Sequence, residues 1–177
     1  RSYESTHPEH FGPDKVLFLD GILQSTLFGD APYHESIVHP AMITHTNPKR
    51  VAIIGGGEGA TLREVLKYKS VEEVVVFEID EELINLCAMY MPEWSDCSDI
   101  EGSNVTSCFD DSRVSMVFGD AITWFINSFD DDLENELEEK KFDVIIMDSL
   151  DTGGLYNNTS FVNSLFNGLT ADGVVSL

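Results

Sequence analysis

The sequence has few basic residues, and this shortage limits the partners that it can bind. Its 177 residues include 32 acids against only 10 lysines and arginines, so the formal net charge is -22. Nucleic acids and anionic membrane surfaces repel such a protein, and we expect neither as a partner. A small cationic substrate is compatible with this charge, although an acidic surface that merely keeps the protein in solution would have the same composition.

Cysteines and long apolar runs are also scarce. The three cysteines, Cys87, Cys97 and Cys108, form no C-x-x-C pair, which predicts reduced thiols, no metal site and a cytoplasmic protein. No apolar run approaches the roughly 20 residues of a membrane-spanning helix, and no signal peptide opens the sequence. Hydrophobic residues still make up 42% of the chain, which is typical of a globular domain.

One glycine-rich turn organises the predicted fold. Val51–Ile54 is an apolar run, rich in β-branched residues, that predicts a buried parallel strand. Gly55-Gly56-Gly57-Glu58-Gly59 follows at once, and apolar residues then recur at helical spacing over 62–66. Strand, glycine turn and helix in this order are the first βα unit of a nucleotide-binding α/β fold. Glu78 ends the next apolar strand, roughly 20 residues further on, where an acid hydrogen-bonds ribose hydroxyls in such folds.

The remaining elements predict a single α/β arrangement after a short β element. Val16–Leu19 and Ile22–Phe28 flank Asp20-Gly21, a strong hairpin turn signal. A helix follows near residues 37–43, with Pro40 inside it as a potential kink or break. Further strands begin near residues 51, 73, 114, 142 and 174. This order predicts a Rossmann-like, mostly parallel sheet with helices on both faces.

Two domains and two polar segments complete this interpretation. We expect a partial N-terminal β-hairpin element over residues 1–30 and a Rossmann-like catalytic domain over 31–177, truncated at its C-terminal end. Residues 93–112 form a polar loop of about 20 residues, which is long for a compact domain, and we expect it to be mobile or to act as a lid. The acidic run at 130–139 predicts a solvated surface extension.

Acids follow the carboxyl ends of four predicted strands, which is where ligands bind in open α/β sheets. They are Glu58, Glu78, Asp120, and Asp148 with Asp151. Carboxylates in this position disfavour an anionic ligand and favour a cation. Each acid alone is equally explained as a helix N-cap or a first-turn residue, where the helix dipole favours negative charge.

A positively charged nucleoside with an amine as second substrate matches this set of carboxylates. Sulfonium cofactors of the S-adenosylmethionine type meet the description, and they serve both methyl transfer and aminopropyl transfer to amines. Glu58 bears on the choice, because it would repel the carboxylate of S-adenosylmethionine and attract the amine of the decarboxylated form.

Six motifs occur in an order that resembles one known family. They are Asp20-Gly21-Ile22-Leu23-Gln24, Tyr33-His34-Glu35, the run from Gly55 to Lys67, Glu78-Ile79-Asp80, Gly119-Asp120-Ala121 and Asp148-Ser149-Leu150-Asp151. The family is that of the polyamine aminopropyltransferases, which includes spermidine synthase. The resemblance runs from about Tyr3 to the end of the sequence, and it implies a fragment of a longer protein.

The resemblance implies an aminopropyl transfer from decarboxylated S-adenosylmethionine to putrescine, spermidine or agmatine, with methylthioadenosine as the second product. It implies no metal and no permanently bound cofactor, and it suggests a homodimer. The nucleoside and its propylamine arm would be held by Gln24, Gly55, Gly57, Glu58, Glu78, Asp120 and Ala121. The acceptor would be held by Tyr33, His34, Glu58, Asp148 and Asp151, with Asp148 as proton acceptor.

Departures from the family pattern leave two alternatives open. Leu150, Thr152 and Leu155 replace a serine and two prolines of the family's usual D-S-S-D-P-x-G-P. Glu58 stands where many spermidine synthases have Asp. A Glu at this position resembles thermospermine synthases and bacterial enzymes that accept agmatine or longer amines. The alternatives are an S-adenosylmethionine-dependent methyltransferase acting on a basic substrate and a non-catalytic homologue that binds polyamine.

Overall fold

The computed structural model describes residues 14–129, 140–149 and 157–177, and its first element is an antiparallel hairpin. Strand β1 (Val16–Leu19) pairs with β2 (Ile22–Thr26). The turn between them has positive φ at Asp20 (50°) and at Gly21 (79°). Two left-handed residues match the right-handed twist of a tight hairpin, so the predicted turn is confirmed.

Helix α1 (Asp30–Thr44) continues through Pro40 instead of ending there. Pro40 lies on the exposed side of the helix. Proline has no N–H to donate to the carbonyl four residues earlier, and on this side water can donate to that carbonyl instead. Val38, Ala41 and Met42 pack into the core on the other side. The packing of this buried side outweighs the loss of one helical hydrogen bond.

Five parallel strands form the main sheet, as the sequence predicts. They are β3 (Arg50–Gly55), β4 (Glu73–Glu78), β5 (Val114–Phe118), β6 (Phe142–Asp148) and β7 (Leu169–Ser176). Their spatial order is β5-β4-β3-β6-β7. The chain therefore reverses its direction of travel across the sheet between β3 and β6, where Gly55 lies opposite Asp148. This switch point is where ligands bind in folds of this kind.

Helices cover both faces of the sheet, because alternate residues of each strand are buried on opposite sides. The remaining helices are α2 (Ala60–Leu66), α3 (Glu81–Tyr90), α4 (Ala121–Ser128) and α5 (Thr159–Asn167). Val51 and Ile53 pack against α1 and α2. Ala52 and Ile54 pack against the phenylalanines of α4 and α5. Helix α3 packs with Trp94 and with Leu17 and Leu27 of the hairpin region.

The segment between α3 and β5 differs from two predictions. Cys97 and Cys108 form a disulfide, so the prediction of reduced thiols is wrong for this pair. Both cysteines are fully buried in the core beside α1 and α2. Trp94 is also fully buried, and an isolated β-bridge joins Asp96 to Ser107. Trp94, Cys97 and Cys108 therefore anchor this segment in the core, while most residues between the two cysteines are exposed. The sequence predicted a mobile loop or a lid, without this anchoring.

Of the remaining predictions, the start of the last strand is corrected, some fall outside the described residues, and the division into domains is untested. Strand β7 begins at Leu169, before the turn predicted at Asp172-Gly173, and its pairing with β6 has an irregularity between Phe142 and Val144. Asp151, the replaced family positions around it and the acidic run at 130–139 lie outside the described residues. The division at residue 30 stays a prediction. Among the helices that the structure describes, none has the length and apolarity needed to cross a membrane.

Candidate active site

The glycine turn after β3 lies directly against the end of β6. Gly55 and Gly56 have positive φ values of 88° and 74°, which favour glycine. A Cβ on Gly55 would overlap the Asp148 backbone carbonyl, and one on Gly56 would lie 2.9 Å from Asp148 Oδ2. The Gly56 amide donates a hydrogen bond to the Asp148 carbonyl (3.1 Å). The glycines thus bring the turn into contact with the Asp148 carboxylate.

Glu78, at the end of β4, lies on the other side of the same turn. A Cβ on Gly57 would lie 2.8 Å from Glu78 Oε2. The other oxygen, Oε1, accepts a hydrogen bond from the Asp80 amide (3.0 Å). Burial raises the pKa of Glu78, although the backbone amides of Asp80 and Ile79 oppose the rise. The described contacts leave Oε2 facing Gly57 and available to a ligand that approaches the turn.

Asp148 is held by two hydroxyl donors. Thr61 Oγ1 donates to Asp148 Oδ2 (2.6 Å), and the Tyr33 hydroxyl donates a longer bond to Oδ1 (3.5 Å). Burial and the negative charge of Glu58 raise the pKa of Asp148 to about 6, while Thr61, His34 and Tyr33 oppose the rise. A carboxylate with a pKa close to neutrality is suited to accept a proton at physiological pH.

His34 connects α1 to the glycine turn. Its Nε2 lies 3.0 Å from Glu58 Oε1. Its Nδ1 lies 2.8 Å from the Asp30 carbonyl oxygen and 2.7 Å from Asp30 Oδ1. Burial would lower the pKa of His34, but Asp30 and Glu58 raise it to about 10. The imidazole therefore lies between two carboxylates, which favour its protonated form.

His34, Glu58 and Asp148 together have the spacing of a metal-binding cluster. One potential ligand atom from each lies within 4.8 Å of the others. These side chains are an imidazole and two carboxylates, and the two carboxylates also suit an organic ammonium group. The expectation that the protein needs no metal stays a prediction.

The other predicted site residues lie around this centre. Asp120 caps α4 by accepting hydrogen bonds from the amides of Ile122 (3.0 Å) and Thr123 (3.3 Å). Its carboxylate therefore has the capping role that the sequence left as an alternative, and Ala121 begins the same helix. The Gln24 side chain donates to the Ile22 carbonyl (3.1 Å) within its own hairpin, and this contact does not join it to the carboxylates.

Three residues of the site were missed by the sequence analysis. Thr61 binds Asp148, Asp30 contacts His34, and Arg63 Nη1 donates to Asp30 Oδ2 (2.9 Å). One signal was available, because Asp30 precedes His34 by four residues, a spacing that brings two side chains together on a helix. The Thr61 and Arg63 contacts join distant parts of the chain and leave no local signal.

Three comparisons with known proteins agree on one family. The Spermine/spermidine synthase domain matches residues 30–177. A polyamine aminopropyltransferase 1 from Hyperthermus butylicus is 44% identical over 143 residues, which are 81% of this chain and 43% of the relative. A polyamine aminopropyltransferase from Clostridium kluyveri is 38% identical over 164 residues, which are 90% of this chain and 52% of the relative. This chain spans about half the length of these curated relatives.

Two solved structures share the fold. A spermidine synthase in complex with the transition-state analogue AdoDATO is 35% identical, with a TM-score of 0.74 over 90% of this chain and 49% of that one. A spermidine synthase from Thermotoga maritima is 36% identical, with a TM-score of 0.71 over 90% of this chain and 47% of that one. The similarity therefore extends from sequence to tertiary structure.

Proposed function

Because the chain belongs to the spermine/spermidine synthase family, we propose that it serves aminopropyl transfer in polyamine biosynthesis. The donor is decarboxylated S-adenosylmethionine, and the products are methylthioadenosine and a lengthened polyamine. The observation that carries the proposal is the position of the Asp148 carboxylate against the glycine turn, with a carboxylate oxygen of Glu58 within 4.8 Å of it. This arrangement suits a cationic substrate that must lose a proton.

The nucleoside is assigned to the side of the turn that faces Glu78. Glu78 Oε2 lies next to Gly57, where only a residue without a side chain leaves room for a ribose hydroxyl to approach. Asp120 and Ala121, at the start of α4, and Gln24, in the hairpin, are the residues assigned to the rest of the methylthioadenosine group. Glu58 attracts the amine of the propyl arm and disfavours the carboxylate of S-adenosylmethionine.

The reaction is a displacement at the carbon next to the sulfonium sulfur. The acceptor nitrogen forms a bond to this carbon, the carbon–sulfur bond breaks, and its electron pair neutralises the sulfur. The acceptor amine is protonated at neutral pH because its pKa is about 10, so it has no lone pair until Asp148 orients it and accepts one of its protons. The neutral amine then attacks, its nitrogen becomes a secondary ammonium in the product, and the proton on Asp148 passes to solvent. The sulfonium is already a good leaving group, so alignment of the two substrates supplies much of the rate.

The acceptor and the cellular context stay predictions. Tyr33, His34 and Asp151 are the residues assigned to the acceptor, which is putrescine, spermidine or agmatine. A homodimer, the lack of nucleic-acid and membrane partners, and the lack of a metal rest on the sequence alone. The cytoplasmic location likewise stays a prediction from the sequence.

Product analysis tests the proposal. We expect the full protein, incubated with decarboxylated S-adenosylmethionine and each amine in turn, to release methylthioadenosine with one new polyamine. Asp148→Asn should lower kcat by about 10²- to 10⁴-fold, the usual contribution of general-base catalysis, and should retain methylthioadenosine binding. Asp110 is exposed, so Asp110→Asn is a control that makes the same chemical change away from the site. Methyl transfer from S-adenosylmethionine, or full turnover by Asp148→Asn, would refute the proposal.

A further inference from the structure

We infer that Asp30 and Arg63 are positioning residues that hold His34 as a fixed internal cation next to Glu58 and Asp148. The inference rests on the proposed function for its effect on the reaction, but the charge state of His34 can be measured without turnover. It gives His34 an electrostatic role, whereas the family resemblance implies direct contact with the acceptor.

The contacts of His34 require both ring nitrogens to carry a proton. Nδ1 lies 2.8 Å from the Asp30 backbone carbonyl, which can only accept a hydrogen bond. Nε2 lies 3.0 Å from a carboxylate oxygen of Glu58, which only accepts when it is ionised. A neutral imidazole has one N–H and cannot satisfy both contacts, so the geometry selects the imidazolium.

The Asp30 carboxylate compensates the imidazolium charge from within the protein. Its Oδ1 is buried, lies 2.7 Å from His34 Nδ1 and has no hydrogen-bond donor within the described part of the chain. The negative charge of the carboxylate is therefore shared between His34, which faces Oδ1, and Arg63, which faces Oδ2. Burial would raise the pKa of Asp30, but His34 and Arg63 lower it, which keeps Asp30 ionised.

Arg63 fixes the position of Asp30 from helix α2. Its Nη1 donates to Asp30 Oδ2 (2.9 Å) and to the Trp94 carbonyl (2.9 Å). Its Nε donates to Glu64 Oε1 (3.0 Å), and Glu64 is fully buried. The guanidinium is thus held by three separate parts of the chain. Charges alternate along the row Glu64, Arg63, Asp30, His34 and Glu58.

The fixed cation affects the two acids of the proposed reaction. Four groups face His34 in the described part of the chain. Asp30 and Tyr33 lie on α1 with it, Glu58 lies in the glycine turn, and Asp148 lies at the end of β6. The positive charge of His34 opposes the rise in the pKa of Asp148 that burial and Glu58 cause. An imidazolium has no lone pair for a substrate ammonium. Of the residues assigned to the acceptor, His34 therefore acts through its charge and not by direct contact with the amine, and it limits the repulsion between Glu58 and Asp148.

Asp30→Asn removes the compensating charge and provides the test. We expect the His34 imidazole of the unmodified protein to stay protonated through pH 9 in an NMR titration of its ring nitrogens. In Asp30→Asn, its titration should move down by about one to three pH units, the usual effect of an adjacent opposite charge. His34 would still be protonated near pH 6, where Asp148 titrates, so the acid limb of kcat/KM should not move to higher pH. Asp30→Glu should restore the His34 titration, and Glu81→Gln, at the exposed first position of α3, should leave it unchanged.

Two results would overturn the inference. One is titration of His34 between pH 5 and pH 8 in the unmodified protein, which needs no variant and so remains decisive if Asp30→Asn does not fold. The other is an unchanged His34 titration in a folded Asp30→Asn protein. The failure of the proposed function is separate, because it would show as an absence of product while the NMR titration still gave the expected result.

Discussion

Replacing Thr61 by valine removes one hydrogen-bond donor from Asp148 and keeps a side chain of similar volume. Thr61 is fully buried at the start of α2, and its Oγ1 lies 2.6 Å from Asp148 Oδ2. This hydrogen bond favours the ionised carboxylate and so opposes the effects of burial and Glu58 on its pKa. Thr61→Val should therefore raise the pKa of Asp148 further.

The size of the change follows from the strength of such a bond. A hydrogen bond to a charged group contributes about 1.5–3 kcal/mol. Because one pH unit of pKa corresponds to about 1.4 kcal/mol, the pKa should rise by about one to two pH units. From a starting value of about 6, the carboxylate of Thr61→Val would titrate between about pH 7 and pH 8.

The assay is the pH dependence of kcat/KM, whose acid limb reports the free enzyme's essential base. Asp148 must be ionised to accept a proton, so activity falls as the pH drops through its pKa. We expect the acid limb of Thr61→Val to lie at higher pH, with activity close to the unmodified protein at pH 9. Thr61→Ser keeps the donor and should keep the original profile. An acid limb that is the same in Thr61→Val as in the unmodified protein would refute the role of Thr61.

Two further predictions concern the nucleoside side of the site and the loop after α3. In Gly57→Ala, the new Cβ would lie 2.8 Å from Glu78 Oε2. Overpacking of about 1–3 kcal/mol should weaken methylthioadenosine binding by about 5- to 150-fold in calorimetry, and unchanged affinity would contradict the assignment of Glu78. The double variant Cys97→Ser with Cys108→Ser loses a cross-link that spans 11 residues. Its free energy of unfolding in urea should fall by about 2–3 kcal/mol, whereas stability equal to that of the oxidised protein would show that the disulfide does not form.

Much of the fold could be predicted because its signals are local. The Asp20-Gly21 turn needs two left-handed residues, and glycine supplies one of them at no steric cost. The apolar strand at Val51 and the helical spacing after the glycine turn are likewise properties of neighbouring residues. Pro40 is the exception, because its local effect on α1 is outweighed by packing of the helix against the sheet.

The disulfide could not be predicted from the spacing of the cysteines. Cys97 and Cys108 are close in sequence, but their pairing depends on the path of the loop between them and on the buried position of both residues. Cys87 lies only ten residues before Cys97 and is a free, buried thiol in α3. Sequence separation alone does not distinguish the two arrangements, because either pair could close a short loop.

The sequence by itself determined the local elements, the parallel class of the sheet, and the acids that end its strands. Only the tertiary structure decided which of these acids meet. Gly55 pairs with Asp148 across the switch point, Thr61 contacts Asp148 over 87 residues, and Arg63 reaches Asp30 over 33. Turns and periodicity depend on residues a few positions apart, so they can be seen in the sequence. Contacts between distant residues depend on how whole strands and helices pack, and these contacts shift the pKa values of His34 and Asp148.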